Sequence, residues 1–192
     1  MGPVWNVLDT SAALYRSITQ WALTTPPWVH DFALFATQGL LVVFIALAAL
    51  HWWFARTITA LAVPLLAAAL GWLVSDLTKE VVRQVRPCRE LGLLDEVLAQ
   101  CPEHDDWSLP SNHSAIAAAF AVALAAQWRK ITSLVVLLAL LEGFSRVFIG
   151  VHYPHDVLLG FFVGGMVAAV VVWASGSIVR RRVLAARAPE EG

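Results

Sequence analysis

FALFATQGLLVVFIALAALHWW, residues 32–53, decides the fold class. The run contains no Asp, Glu, Lys or Arg, and as a helix rising 1.5 Å per residue it is long enough to cross the hydrocarbon core of a bilayer. Outward from it, hydropathy marks further apolar runs at residues 58–74, 114–128, 131–148 and 157–179. The run at 114–128 is short unless it begins in the polar stretch Pro110-Ser111-Asn112-His113 just before it. Composition agrees: 59% of residues are hydrophobic and 14% charged, against about 25% charged in soluble domains.

These features predict an all-α fold: a polytopic transmembrane helix bundle forming one membrane-embedded domain over residues 1–192. Residues 1–29 form an N-terminal interfacial segment, because Asp9 and Arg16 interrupt apolar positions such as Leu8, Tyr15 and Ile18. The count is therefore five spans plus this interfacial helix, or six spans if the segment crosses. No basic region precedes an apolar core at the start, so no cleavable signal peptide is expected, and Asn6 breaks the myristoylation pattern.

The formal net charge of −1 conceals a sorting of charges. Arg56, Arg129 with Lys130, and Arg180 to Arg182 follow alternate spans and fall on one side, which the positive-inside rule makes cytoplasmic, with residues 180–192 as a tail there. Residues 79–109 and 151–156 then lie outside, so an integral protein of a bacterial plasma membrane with its polar site on the extracytoplasmic side is expected. Nothing in the pattern calls for nucleic acid, and oligomeric state is not encoded in it. Cys88 and Cys101 share the outer connection, where a disulfide is compatible with the compartment; two unpaired thiols are the alternative. Glu90, Asp95, Glu96, Glu103, Asp105 and Asp106 read as a solvated loop face, and residues 91–107 either gate or cap whatever lies beneath.

Three polar clusters reach this outer end. In KEVVRQVRP, residues 79–87, a helix would put Lys79, Arg83 and Arg86 on one face, and three like charges together call for an anion; phosphate suits both the guanidinium fork and the ammonium. In PSNH, Pro110 can start a helix whose free N–H groups at Ser111, Asn112 and His113 face an anion, with the Ser111 hydroxyl and the His113 imidazole beside them. In SRVFIGVHYPHD, Arg146 ends a span, Pro154 opens the next, and Asp156 falls four residues after His152, where a carboxylate fixes the imidazole tautomer. Asp76 with Lys79, and Glu142 with Arg146, read as structural ion pairs; His30, His51, His104 and His155 read as structural histidines.

In order and spacing these residues resemble the signature of the type 2 phosphatidic acid phosphatase family, over Lys79 to Asp156. Its parts are Lys79 with Arg86-Pro87, Pro110-Ser111-Asn112-His113, and Ser145-Arg146 with His152 and Asp156; Asn112 stands where the broad family has Gly. The resemblance implies catalytic roles for His152 as the nucleophile that forms a phosphohistidine, His113 as the acid for the leaving oxygen, and Asp156 as the group orienting His152. It implies that Lys79, Arg86, Ser111 and Arg146 hold the phosphoryl oxygens, with Asn112 and Arg83 as possible substrate contacts. Such chemistry needs positioning and charge neutralisation, so no metal or other cofactor is expected, and the two histidines predict a bell-shaped pH dependence.

The non-glycine residue at 112 is similar to bacterial undecaprenyl-diphosphate phosphatases within that family, which implies a polyprenyl diphosphate substrate of cell-wall synthesis. Phosphatidic acid or phosphatidylglycerol phosphate is the alternative substrate. A transporter would place its charges near the midplane of repeated halves, and a non-catalytic scaffold would have lost His113, His152 or Asp156.

Overall fold

The computed structural model describes residues 3–187, with side chains from residue 7 to residue 177. Helices α1 (Pro3–Leu23), α2 (Pro27–Ala55), α3 (Ile58–Val82), α4 (Pro87–Glu90), α5 (Asn112–Gln127), α6 (Thr132–Phe148) and α7 (Pro154–Arg187) follow one another, with a 3-10 turn at Arg129–Ile131 and no strand among the described residues. Among the described residues, four helical stretches are long and apolar enough to cross a membrane: Pro27–Ala55, Ile58–Glu90, Arg129–Phe148 and Pro154–Ser177. Their outer surfaces expose Phe35, Phe54, Ile58, Val81, Leu158, Phe162 and Trp173, which water would penalise and lipid accommodates.

Helix α5 does not meet that length criterion; its 16 residues rise about 24 Å. It runs through the centre of the bundle against α3, α6 and α7 instead of facing lipid. Alanines on every side of it allow this. Ala117, Phe120, Ala121 and Leu124 pack on Phe44 and Ala48 of α2 and on Val135 and Ala139 of α6, with the Phe44 and Phe120 rings stacked at 5.6 Å. Ala119 and Ala123 face Val63 and Ala67 of α3 and Ala168 and Val171 of α7.

Gly160 and Gly164, one turn apart on α7, let that helix touch the start of α5. A Cβ on Gly164 would run into the Ala115 carbonyl, and one on Gly160 would lie 2.5 Å from the Ser111 carbonyl oxygen. This is the close approach that small residues at four-residue spacing permit between membrane helices. It brings the PSNH stretch against the first turn of α7, where Asp156 sits.

Two boundaries differ from the hydropathy reading. Helix α3 continues to Val82, beyond the apolar run that ends at 74, and carries Lys79 in its last turn. Helix α7 continues through Arg187, so the first part of the stretch read as a tail is helical; residues 188–192 lie outside the described residues. Helix α1 presents Ser11, Tyr15, Thr19 and Ala22, all buried and on one face, to the last turn of α6 and the first turn of α7.

Candidate active site

Four helix ends and one loop converge at one end of the bundle: the last turns of α3 and α6, the first turns of α5 and α7, and the connection before α5. Helix α3 stops where Arg83 adopts a left-handed conformation, φ 52°, and its N–H closes the helix on the Lys79 carbonyl. The stop sends neighbouring cations different ways. Lys79 and Arg86 are buried, whereas Arg83 is exposed and its Nε donates back to the Glu80 carbonyl. The expectation that one helical face would carry all three is thus corrected, because the helix ends before Arg86, and Arg83 lies outside the cluster.

Arg86 makes the densest set of contacts. Its Nη1 donates to the Val151 carbonyl at 3.0 Å and to His152 Nε2 at 3.1 Å, its Nε donates to the Asp106 carbonyl at 2.8 Å, and its Nη2 meets Asp106 Oδ1 at 2.7 Å. Lys79 Nζ lies 3.5 Å from the same Asp106 oxygen. The Asp76–Lys79 pair expected from spacing is a charge attraction without direct bonding: Asp106 makes the close contact with Lys79, while Asp76 accepts a hydrogen bond from Asn112 Nδ2 at 2.9 Å.

Asn112 is held on its other side too, accepting from Ser75 Oγ at 2.6 Å. Its amide therefore ties α5 to α3. Ser111 is fully buried and caps α5, its Oγ accepting from the N–H of Ser114. The Ser111 N–H donates to the Asp156 carbonyl at 3.0 Å, so the expected row of free amides at 111–113 begins one residue later. Helix α5 opens at Asn112, with Pro110 ahead of the cap.

His152 is 1% exposed, in the turn between α6 and α7. Its Nδ1 faces Asp156 Oδ2 at 3.3 Å. The same carboxylate oxygen accepts the Tyr153 N–H at 2.8 Å, and its other oxygen lies 3.2 Å from His155 Nε2. Burial, reinforced by the nearby charges of Arg86, Arg146 and Lys79, holds the His152 imidazole well below its ordinary pKa, so it is neutral near pH 7. With the Nδ1 proton directed at Asp156, the lone pair is on Nε2, the nitrogen turned toward the cations.

His113 is half-buried, and the charges that act on it are those of Arg146, Lys79, Arg86 and Asp106. Arg146 closes α6, one turn beyond Glu142. Neither carboxylate oxygen of Glu142 and not the Nε of Arg146 finds a hydrogen-bond partner, so the expected pair is a charge attraction across the bundle interior without direct bonding.

Two residues of this cluster were not singled out from sequence. Asp106, read there as part of a solvated loop face, contacts two cations. Ser108 is fully buried; its Oγ donates to Asp156 Oδ2 at 2.5 Å and lies 3.4 Å from His152 Nδ1. The available signal was their proximity to the PSNH stretch, which follows DWS, residues 106–108, after a single intervening leucine. The loop carrying them is tied down where the Cys88 and Cys101 sulfurs are bonded, Cα atoms 6.1 Å apart, and where Arg89 donates to the Pro102 carbonyl. His155 is likewise more than peripheral, since it bridges Ser11 of α1, Gln84 and Asp156.

Such a constellation, a neutral buried imidazole backed by a carboxylate and facing several cations, is suited to attack on a phosphorus centre. Comparison with known proteins gives the family. Undecaprenyl-diphosphatase BcrC of Bacillus subtilis (strain 168) is 41% identical over 71 residues, 37% of this chain and 34% of its own length. The chain thus spans about a third of that relative. YbjG of Escherichia coli (strain K12) is 30% identical over 152 residues, 77% of this chain and 75% of its own length. A solved transmembrane PAP2 type phosphatidylglycerolphosphate phosphatase from Bacillus subtilis superposes with a TM-score of 0.66 at 24% identity, over 90% of this chain and 88% of that one. The PAP2 superfamily pattern matches residues 60–180, which takes in every residue of the cluster, and this integral membrane protein belongs to that superfamily.

Proposed function

We propose that the protein is a metal-independent lipid phosphatase that hydrolyses a polyprenyl, undecaprenyl-type diphosphate to the monophosphate and inorganic phosphate on the outer face of a bacterial plasma membrane. The observation that carries the reading is His152: buried, neutral, backed by Asp156, and opening its Nε2 onto Arg86 beside Lys79. The undecaprenyl-diphosphatase among the relatives supports the substrate class.

In this mechanism His152 Nε2 forms a bond to the terminal phosphorus as the bond to the bridging oxygen breaks. Lys79, Arg86 and Arg146 neutralise the equatorial oxygens, with the Ser111 hydroxyl and the first amides of α5 assisting, and His113 gives a proton to the departing oxygen of the lipid monophosphate. Water, losing a proton to His113, then displaces the histidine and releases inorganic phosphate.

An apolar cavity of about 210 Å³ between α1, α2 and α6, lined by Trp21, Phe32, Ala36, Phe144 and Ser145, adjoins the residue before Arg146 and gives a lipid tail a path beside the site. Helix α1 is read as interfacial, making five spans. Ser11 touches His155, the Tyr15 hydroxyl donates to the Gly150 carbonyl at 2.8 Å, and Ala22 packs on Phe148 and Ile149, so the stretch 11–22 lies along the end of the bundle that carries the site.

The test is phosphate release by the purified protein in detergent with EDTA present, from undecaprenyl diphosphate, phosphatidic acid and phosphatidylglycerol phosphate. The diphosphate is expected to be preferred, and His152→Ala to lose on the order of 10³-fold or more in kcat. Preference for a glycerolipid would reject the substrate and keep the mechanism. Full activity in His152→Ala would reject the mechanism.

A further inference from the structure

The place where a substrate phosphate would sit between Lys79 and Arg86 already holds a carboxylate. Asp106 Oδ1 lies 2.7 Å from Arg86 Nη2 and 3.5 Å from Lys79 Nζ. The same guanidinium donates through Nη1 to His152 Nε2 at 3.1 Å, so the lone pair assigned to attack is engaged by a hydrogen bond. Asp106, Arg86 and His152 thus form one chain of contacts in which the cation both meets a surrogate anion and caps the nucleophile.

We infer that Asp106 is a specificity-determining residue: an internal competitor that the terminal phosphate of the substrate must displace from Lys79 and Arg86 before His152 is released for attack. The inference rests on the site roles proposed above. A terminal phosphate brings close to two negative charges and three free oxygens, enough to outbid one carboxylate for both cations. The phosphodiester headgroups that fill a membrane carry one negative charge and no terminal phosphate, and they leave Asp106 in place. Inorganic phosphate is expelled as Asp106 returns, which favours product release.

The loop is built for such an exchange at one residue only. Ser108, two positions away, is fully buried, its hydroxyl donates to Asp156, and its N–H donates to the Gln84 carbonyl at 2.8 Å. The Cys88–Cys101 bond and a hydrogen bond from the Ala99 N–H to the Ile149 carbonyl hold the rest. The Asp106 side chain is 48% exposed and can swing outward without breaking any of these ties. Although partial burial opposes it, the Arg86 hydrogen bond and the charges of Arg86 and Lys79 keep its carboxyl below the ordinary range, so the competitor stays charged at neutral pH.

The experiment measures binding of inorganic phosphate to full-length protein by calorimetry, in the non-turning-over His152→Ala background, with and without Asp106→Asn. Loss of the competitor is expected to tighten phosphate binding by about tenfold or more, whereas Asp106→Glu stays near the parent. In the otherwise intact enzyme, Asp106→Asn is expected to lower KM and the phosphate inhibition constant together without raising kcat. If Asp106 only props up the two cations, its loss acts in the opposite direction. Phosphate affinity that is unchanged, weaker, or undetectable in both proteins would overturn the inference. Because this arm needs no lipid and no turnover, its result is separate from whether the diphosphate is the substrate.

Discussion

The two ends of the bundle are held together by different physics. The middle and the end away from the site are packed from apolar surfaces, with Phe44, Ala48, Ala117, Phe120, Leu124, Val135 and Ala139 buried against one another. The end that carries the site buries Lys79, Arg86, Ser108, Ser111, Glu142, His152 and Asp156. Apolar packing tolerates any set of side chains that fills the space, and its strength is spread over many weak contacts. A buried polar cluster is discrete: Ser108 is matched to Asp156 and Arg86 to Asp106, and losing one of a pair leaves the other unsatisfied. The apolar region should therefore govern stability and the polar one turnover.

The largest effect that would break this comparison is expected at Phe120. Phe120→Ala removes the ring stacked on Phe44 and leaves a cavity worth about 3 kcal/mol or more of stability, while turnover per folded molecule changes less than about twofold. Thermal unfolding in detergent beside single-turnover kinetics measures both. A large loss of kcat in folded Phe120→Ala would mean that the two ends are not separable.

Next in size is Ser108→Ala, which removes the hydroxyl that holds Asp156 Oδ2. An expected loss of about 10- to 100-fold in kcat, with KM nearly constant and a small change in melting temperature, marks a positioning role. Rescue by Ser108→Thr would sharpen it. A melting temperature that collapses along with activity would instead make Ser108 part of the fold's stability.

The smallest effect is a pH slope. His152 has a lowered pKa in the folded protein, so between that value and the ordinary imidazole pKa the unfolded chain binds the extra proton. Its stabilising contribution is present above the unfolded value and lost as pH falls below it, by up to about 1.4 kcal/mol per pH unit. The fall in melting temperature from pH 7 to pH 5 should be shallower in His152→Gln than in the parent. Equal slopes would show that other groups carry the acid sensitivity.

Much of the scaffold is legible in the sequence because a bilayer imposes a simple rule on a helix, a long run without charge, and residues 32–53 obey it. Short-range spacing likewise identifies His152 with Asp156, since four residues within one turn and helix start fix their relation locally. Arg83 misled for an equally local reason: hydropathy does not reveal that α3 ends in a left-handed cap there. Gly160 and Gly164 carry a spacing that is visible in the sequence, but the partner they admit, the start of α5, is not.

By itself, then, the sequence determined that the chain is a helical membrane protein with cations, two histidines and a carboxylate at one end. The tertiary structure decided the rest of the site. Ser108 and Asp156 lie 48 residues apart in the chain, and Arg86 and His152 lie 66 apart. Asp106 reaches Lys79 and Arg86 because the loop that carries it folds back over the bundle. Contacts at such separations depend on how helices pack and how a loop is anchored, quantities to which no local propensity or periodicity corresponds.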